Sequence, residues 1–95
     1  MLTRIVKMHF DAEFVPTFII LFNSLKPQIM AFEGCQEVKL LQDHTDKNIF
    51  FTISIWQSAA HLNNYRNACF FKQTWAKVKP NFTSKAEAWS LAELG

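Results

Sequence analysis

The sequence predicts an α+β fold with elements in the order β-α-β-β-α-β, and three observations carry that reading. The run Ile49-Phe50-Phe51-Thr52-Ile53-Ser54-Ile55-Trp56 has the β-branched and aromatic content of a strand. Apolar residues at helical spacing lie on both sides of it in the chain, before Gly34 and after Ser58. The polar stretch His44 to Asn48 joins this strand to an earlier one, as a hairpin turn does.

The first element, Leu2 to Phe10, reads as a strand. Side chains alternate between the two faces of a sheet, so Ile5, Lys7 and His9 share one face and Arg4, Val6, Met8 and Phe10 the other. Asp11 ends the strand and can cap the helix after it. That helix is expected from about Glu13 to Phe32, with Phe14, Phe18, Leu21, Phe22, Leu25 and Ile29 on one broad face. Pro16 falls in the first turn, where its missing N–H matters least. Pro27 removes a hydrogen bond to the Asn23 carbonyl, and a kink is expected near residues 23–26. Gly34 is placed to end the helix in a left-handed conformation.

Gln36 to Asp43 reads as the second strand, with Val38 and Leu40 on one face and Leu41 on the other. The third is the apolar run itself. It puts Phe51, Ile53 and Ile55 on one side and Phe50, Thr52, Ser54 and Trp56 on the other. A sheet with one wet face shows clean apolar/polar alternation. Here both sides carry large apolar groups, so both are expected to be covered. Helices of the same chain can cover one. A second copy of the chain is the simplest cover for the other, since closed two-fold dimers are the commonest assemblies.

Ser58 is a suitable N-cap for the next helix. Position N3 holds His61 instead of Glu or Gln, so the capping box is incomplete and His61 is expected to face water. Leu62 and Tyr65 follow on one face. Asn67 is expected to cap a second segment, in which Phe71, Trp75, Val78 and Phe82 form a helical stripe. Lys72, Lys77 and Lys79 lie mostly off that stripe, on what reads as a solvated face. Thr83 to Ala86 connects to a last strand, Glu87 to Leu94, with Trp89 and Leu91 on one face. This order is the ferredoxin-like, or split βαβ, arrangement.

Composition bounds the function. With 95 residues there is room for one domain, spanning 1–95, and one modest core. Hydrophobic residues make up 49% and charged ones 19%, which excludes a disordered chain. Ten Phe and three Trp imply an aromatic interior or pocket. A net charge of +2 is too mild to argue for nucleic acid. No apolar run approaches the roughly 20 residues of a membrane span. Met1 to Phe10 lacks the apolar core of a signal peptide. Cys35 and Cys69 have no metal-ligand spacing and read as free thiols in a reducing cytoplasm. No Ser-His-Asp, Cys-His or His-Glu-x-x-His arrangement is visible, and Gly34 and Gly95 alone cannot build a phosphate loop.

Several segments resemble the antibiotic biosynthesis monooxygenase family: Phe32-Glu33-Gly34-Cys35, the run from Phe50 to Ser58, Leu62-Asn63-Asn64-Tyr65-Arg66, the run from Phe71 to Lys77, and Ala88-Trp89-Ser90-Leu91. The resemblance covers nearly the whole chain and implies a dimeric α/β barrel, with two ferredoxin-like sheets packed face to face. It implies a cofactor-independent monooxygenase that oxidises an electron-rich aromatic or quinol with dioxygen, without metal or flavin. Such chemistry needs an apolar pocket, a base, and donors for a developing oxyanion. Trp56, Tyr65, Phe71 and Trp75 are the expected pocket residues, with Arg66 beside them for an anionic group. His9 is the expected base, having an intrinsic pKa near neutrality, with His61 the second candidate. Haem-degrading members use an Asn on the first strand with a Trp and a His on the second helical region. This chain has no Asn there, and Tyr65 and Trp75 occupy the other two positions, so haem degradation is disfavoured.

Each of these residues also has an ordinary structural reading. An aromatic stripe at helical spacing fills cores, Trp89 suits an interface, and a strand histidine is commonly a hydrogen-bonded interface group. The alternative function is therefore a non-catalytic dimeric module that binds a small apolar ligand. An RNA-binding role for the same fold is disfavoured, since the central strand lacks the Gly and basic pattern and looks buried.

Overall fold

The computed structural model describes residues 1–95. It is a four-stranded antiparallel sheet backed on one face by three helices, with the ferredoxin-like order of elements. Strand β1 (Leu2–His9) leads through a 3-10 turn, Ala12–Phe14, into helix α1 (Val15–Met30). Strands β2 (Cys35–Gln42) and β3 (Ile49–Trp56) form a hairpin. Helices α2 (Ala59–Asn67) and α3 (Cys69–Val78) then lead to β4 (Glu87–Ala92). The strands lie in the order β2-β3-β1-β4, so β3 is inserted between the two strands that α1 connects.

Register decides what each face carries. Met8 lies opposite Phe50, Val6 opposite Thr52 and Arg4 opposite Ser54. Val38 lies opposite Ser54 on the other flank of β3. These pairs share the helix side, where Met8, Val38, Phe50, Ser54 and Trp56 are all buried. The core is centred on Phe10, fully buried, whose ring lies 4.4 Å from Phe18, 5.2 Å from Phe82, 5.3 Å from Phe14 and 5.9 Å from Phe50. The opposite face carries Ile5 against Ile53 and Trp89, Thr3 against Ile55 and Leu91, and Phe51 against Leu41. None of these is buried, and Leu41, Trp89 and Leu91 are exposed.

Local signals explain the boundaries. Asp11 accepts from the Glu13 amide at 3.1 Å and starts the first turn. Helix α1 runs without a break through Pro27. Pro27 and Asn23 are both exposed, so the carbonyl deprived of its amide is open to solvent. Gly34 adopts φ +84°, the left-handed geometry expected after the helix. In the β2–β3 turn the Asp43 carboxylate accepts from the Asp46 amide at 2.7 Å and from Thr45 at 3.1 Å. The Asp46 bond above all holds its pKa below the usual carboxylate value.

Two local expectations are corrected. Asn67 does not cap the second helical segment; Ala68 takes that place, with extended backbone and no side-chain bond. The Asn67 side chain instead donates back to the Asn63 carbonyl at 2.9 Å, the i−4 partner a helix-terminal amide can always reach. His61 does not face open water. Its Nδ1 lies 2.7 Å from Ser58 Oγ and its Nε2 3.8 Å from Glu33, while Ser58 Oγ also accepts from the His61 amide at 3.2 Å. The imidazole thus buttresses the capping hydroxyl of Ser58 and does not complete a capping box, which requires a bond to the Ser58 amide.

Candidate active site

Between the helix side of the sheet and the three helices lies a cavity of about 300 Å³. Arg4, Val6, Met8, Thr52 and Ser54 form its floor, and Phe18, Phe22 and Ile29 of α1 one wall. Leu62, Tyr65 and Arg66 of α2, with Phe71, Thr74 and Trp75 of α3, form the other. The extended residue Ala68 breaks the second helical region in two. That break lets Tyr65 and Phe71 meet edge to face with centroids 5.1 Å apart, although they sit on different helices. Phe71 in turn lies nearly parallel to Trp75, at 6.0 Å and 9°. Trp75 meets Phe82 edge-on at 5.5 Å. The wall is a continuous train of rings, a surface suited to a flat apolar guest.

Polar groups are few. Ser54 Oγ is buried and accepts from the Trp56 indole N–H at 2.9 Å. Tyr65 is enclosed by Phe32, Trp56 and Phe71, and burial pushes its phenol pKa up to about 12, with the negative charge of the Cys35 thiolate adding to the rise. A phenol held protonated is a hydrogen-bond donor across the whole physiological range, not a base. Arg4 projects from β1 and donates to Ser90 Oγ at 2.9 Å. Burial, and then the charge of Arg66, lower its pKa. No three His, Cys, Asp or Glu side chains are gathered closely enough to hold a metal ion.

Of the residues singled out from the sequence, Tyr65, Arg66, Phe71 and Trp75 come together on this cavity. Trp56 does not reach it. Trp56 is fully buried behind Tyr65, stacked on it at 5.0 Å, and backs the wall without lining it. His9 lies on the opposite face of the sheet, with Nε2 3.6 Å from Asp46 Oδ2. The alternation that points Met8 inward points His9 outward. Arg4 is a cavity residue that sequence reasoning missed. Its one signal is a charge on the same strand face as Val6, Met8 and Phe10, where a covered face disfavours charge.

A family model for antibiotic biosynthesis monooxygenases matches residues 1–77. The chain belongs to the antibiotic biosynthesis monooxygenase family. Solved structures share its fold throughout. One, a crystal structure of an antibiotic biosynthesis monooxygenase, is 17% identical with a TM-score of 0.92, covering 100% of both chains. A conserved protein from Methanosarcina mazei Go1 is 20% identical with a TM-score of 0.90, covering 99% of this chain and 94% of that one. A protein from Mycobacterium tuberculosis is 17% identical with a TM-score of 0.88, covering 99% and 95%. No curated protein matches the sequence. No helix of this family member is long and apolar enough to cross a membrane.

Proposed function

We propose that this protein is a cofactor-independent monooxygenase that oxidises a small electron-rich aromatic or quinol with dioxygen in the ring-lined cavity. The observation that carries the reading is the cavity itself: about 300 Å³ walled by Tyr65, Phe71 and Trp75, at the small end of the range for ligand sites. Membership of the family supports the reaction type. The substrate, once deprotonated, supplies the electrons. Dioxygen adds at the electron-rich carbon to give a hydroperoxide, and loss of water leaves a carbonyl. A ring methylene and dioxygen thus become a ring carbonyl and water, with one oxygen atom in each product. Phe71 and Trp75 orient the ring. The protonated Tyr65 phenol donates to the oxyanion, and Arg66 stabilises its charge.

The working unit we infer is a homodimer joined through the outer sheet face. Ile5, Phe51, Ile53, Ile55, Trp89 and Leu91 there have no cover from their own chain. The charges among them are already matched, Lys7 with Glu87 at 3.9 Å and Lys39 with Glu37 at 3.5 Å. A second copy can therefore cover the face without stranding a charge.

The test is oxygen uptake by the purified protein with a panel of quinols and anthrone-like aromatics, corrected for autoxidation. Enzyme-dependent uptake with one product oxygen derived from dioxygen is the expected result. Binding of these rings with no uptake would overturn it in favour of the non-catalytic module. A His9→Ala variant tests the strand histidine. His9 faces away from the cavity, so unchanged uptake is expected, and a fall in uptake would act through the outer face and the assembly, not through proton abstraction in the cavity.

A further inference from the structure

We propose that the cavity is built for an aromatic acid, with Arg4 and Arg66 together receiving a carboxylate carried by an otherwise apolar ring. The inference rests on the aromatic cavity being a substrate site and adds the charge of that substrate. Arg4 comes from the sheet and Arg66 from α2, and both line the same mostly hydrophobic cavity. Neither has an acidic partner in the chain. The ion pairs present are Lys7 with Glu87, His9 with Asp46, Lys39 with Glu37 and His61 with Glu33. The one carboxylate at the cavity rim, Glu87, thus already faces Lys7. Arg4 has a single neutral acceptor, Ser90 Oγ, which leaves most of its donors free.

Arg4 is partly withdrawn from water on the apolar floor and sits within reach of the charge of the exposed Arg66, an unfavourable position for a lone cation. An anion placed between them reverses the sign of every such interaction. Guanidinium matches a planar carboxylate through paired N–H bonds, a geometry that ammonium lacks. The ring train of Tyr65, Phe71 and Trp75 runs along the same wall as Arg66, so one ligand can stack on the rings and present its acid group to the arginines. The outer sheet face is on the far side of the sheet from Arg4, which shares the helix side with Val6 and Met8.

Calorimetric titration of the full chain with 2-naphthoate and its neutral isostere 2-naphthamide tests the inference. Charge-assisted bonds predict that the acid binds about 10- to 100-fold more tightly than the amide. Arg4→Gln and Arg66→Gln should each remove most of that gap, read as the ratio of acid to amide affinity. Arg66→Lys, which keeps the charge and loses the fork, should keep only part of it. Melting temperatures of the Gln variants should match or exceed that of the parent, because one of two repelling cations is gone. Equal binding of acid and amide, or a gap that survives in the double Gln variant, overturns the proposal. A preference for 2-naphthol above its own pKa, without one for naphthoate, overturns it in favour of a phenolate. Binding is read without turnover, so the two proposals fail separately. A missing acid preference with intact oxygen uptake removes only this one, and an intact preference with no uptake removes only the oxygenase.

Discussion

Trp56 and Tyr65 are stacked with ring centroids 5.0 Å apart and planes 27° from parallel, and this contact couples the buried end of β3 to the wall of the cavity. Trp56 is fully buried and its indole N–H is held by Ser54 Oγ at 2.9 Å. Tyr65 is further clamped edge-on by Phe32 at 4.9 Å and Phe71 at 5.1 Å. The cavity wall therefore inherits its rigidity from the core. Trp56→Ala should cost about 3–5 kcal/mol in stability, as for other fully buried aromatic truncations. Trp56→Phe keeps a ring under Tyr65 but leaves Ser54 without its donor, and should cost about 1–3 kcal/mol. Denaturant midpoints measure both, and near-native stability of the Ala variant would refute the coupling.

Trp75 should behave differently. It is half-buried, lies against Phe71 and Phe82 and lines the cavity. Trp75→Ala is expected to lose less than the ~3–5 kcal/mol of a fully buried tryptophan, while ring binding and turnover fall together. Thermal melting and calorimetry on the same preparation separate the two roles. A loss of stability as large as that of Trp56→Ala would make Trp75 a core residue.

The contrast between these two tryptophans marks how far the sequence can be read. Strand alternation sorts side chains into faces correctly because a period of two admits no partial error. It puts His9 on the face away from Phe10, and Trp56 on the face of Ser54, as observed. It does not say which face the helices cover, and His9 proves to lie on the side away from the pocket. Nor does it say that Tyr65 seals Trp56 from that pocket, since that depends on where α2 sets down. The helical stripe brings Phe71 and Trp75 to the right wall because α3 is regular. The break at Ala68 escapes the usual cap signal, because the capping place falls to an alanine, whose side chain has no acceptor. Arg4 is legible only as an anomaly, a charge on a face otherwise apolar.

The phenol of Tyr65 gives a pH signature. Its pKa rises from the ordinary 10 to about 12, chiefly through burial. The folded protein holds this proton after the unfolded chain has lost it, so stability is fully present below about pH 10 and falls as pH rises toward 12. Tyr65→Phe should flatten that loss while leaving the neutral-pH melting temperature close to the parent value. Melting curves between neutral and strongly alkaline pH measure it. An identical alkaline loss in parent and variant would show that other groups carry the dependence.

Gly34 is constrained twice. Its φ of +84° is left-handed, and a methyl group there would collide with the His61 ring. The conformation alone costs a non-glycine residue about 1–2 kcal/mol, and displacing His61 also breaks its contact with Ser58, the N-cap of α2. Gly34→Ala should therefore exceed that figure, and adding His61→Gly, which removes the clashing Cβ as well as the ring, should recover the steric part but not the conformational part. A double-mutant cycle by denaturant unfolding gives both. Additive losses would mean that the ring moves aside freely.

The outer sheet face supplies the last prediction. Ile53 is central in it, opposite Ile5 on one side and Lys39 on the other, and it is not buried by its own chain. If two copies pack there, the parent protein should sediment at twice its 11.1 kDa chain mass. Ile53→Asp should sediment as a monomer, because an unpaired carboxylate buried between two apolar sheets is strongly unfavourable. The same substitution is mild for a free monomer, whose carboxylate stays solvated beside Lys39. An Ile53→Asp monomer that keeps its circular dichroism therefore separates assembly from folding. A parent protein that sediments as a monomer at all concentrations would leave the apolar strip without the partner inferred for it.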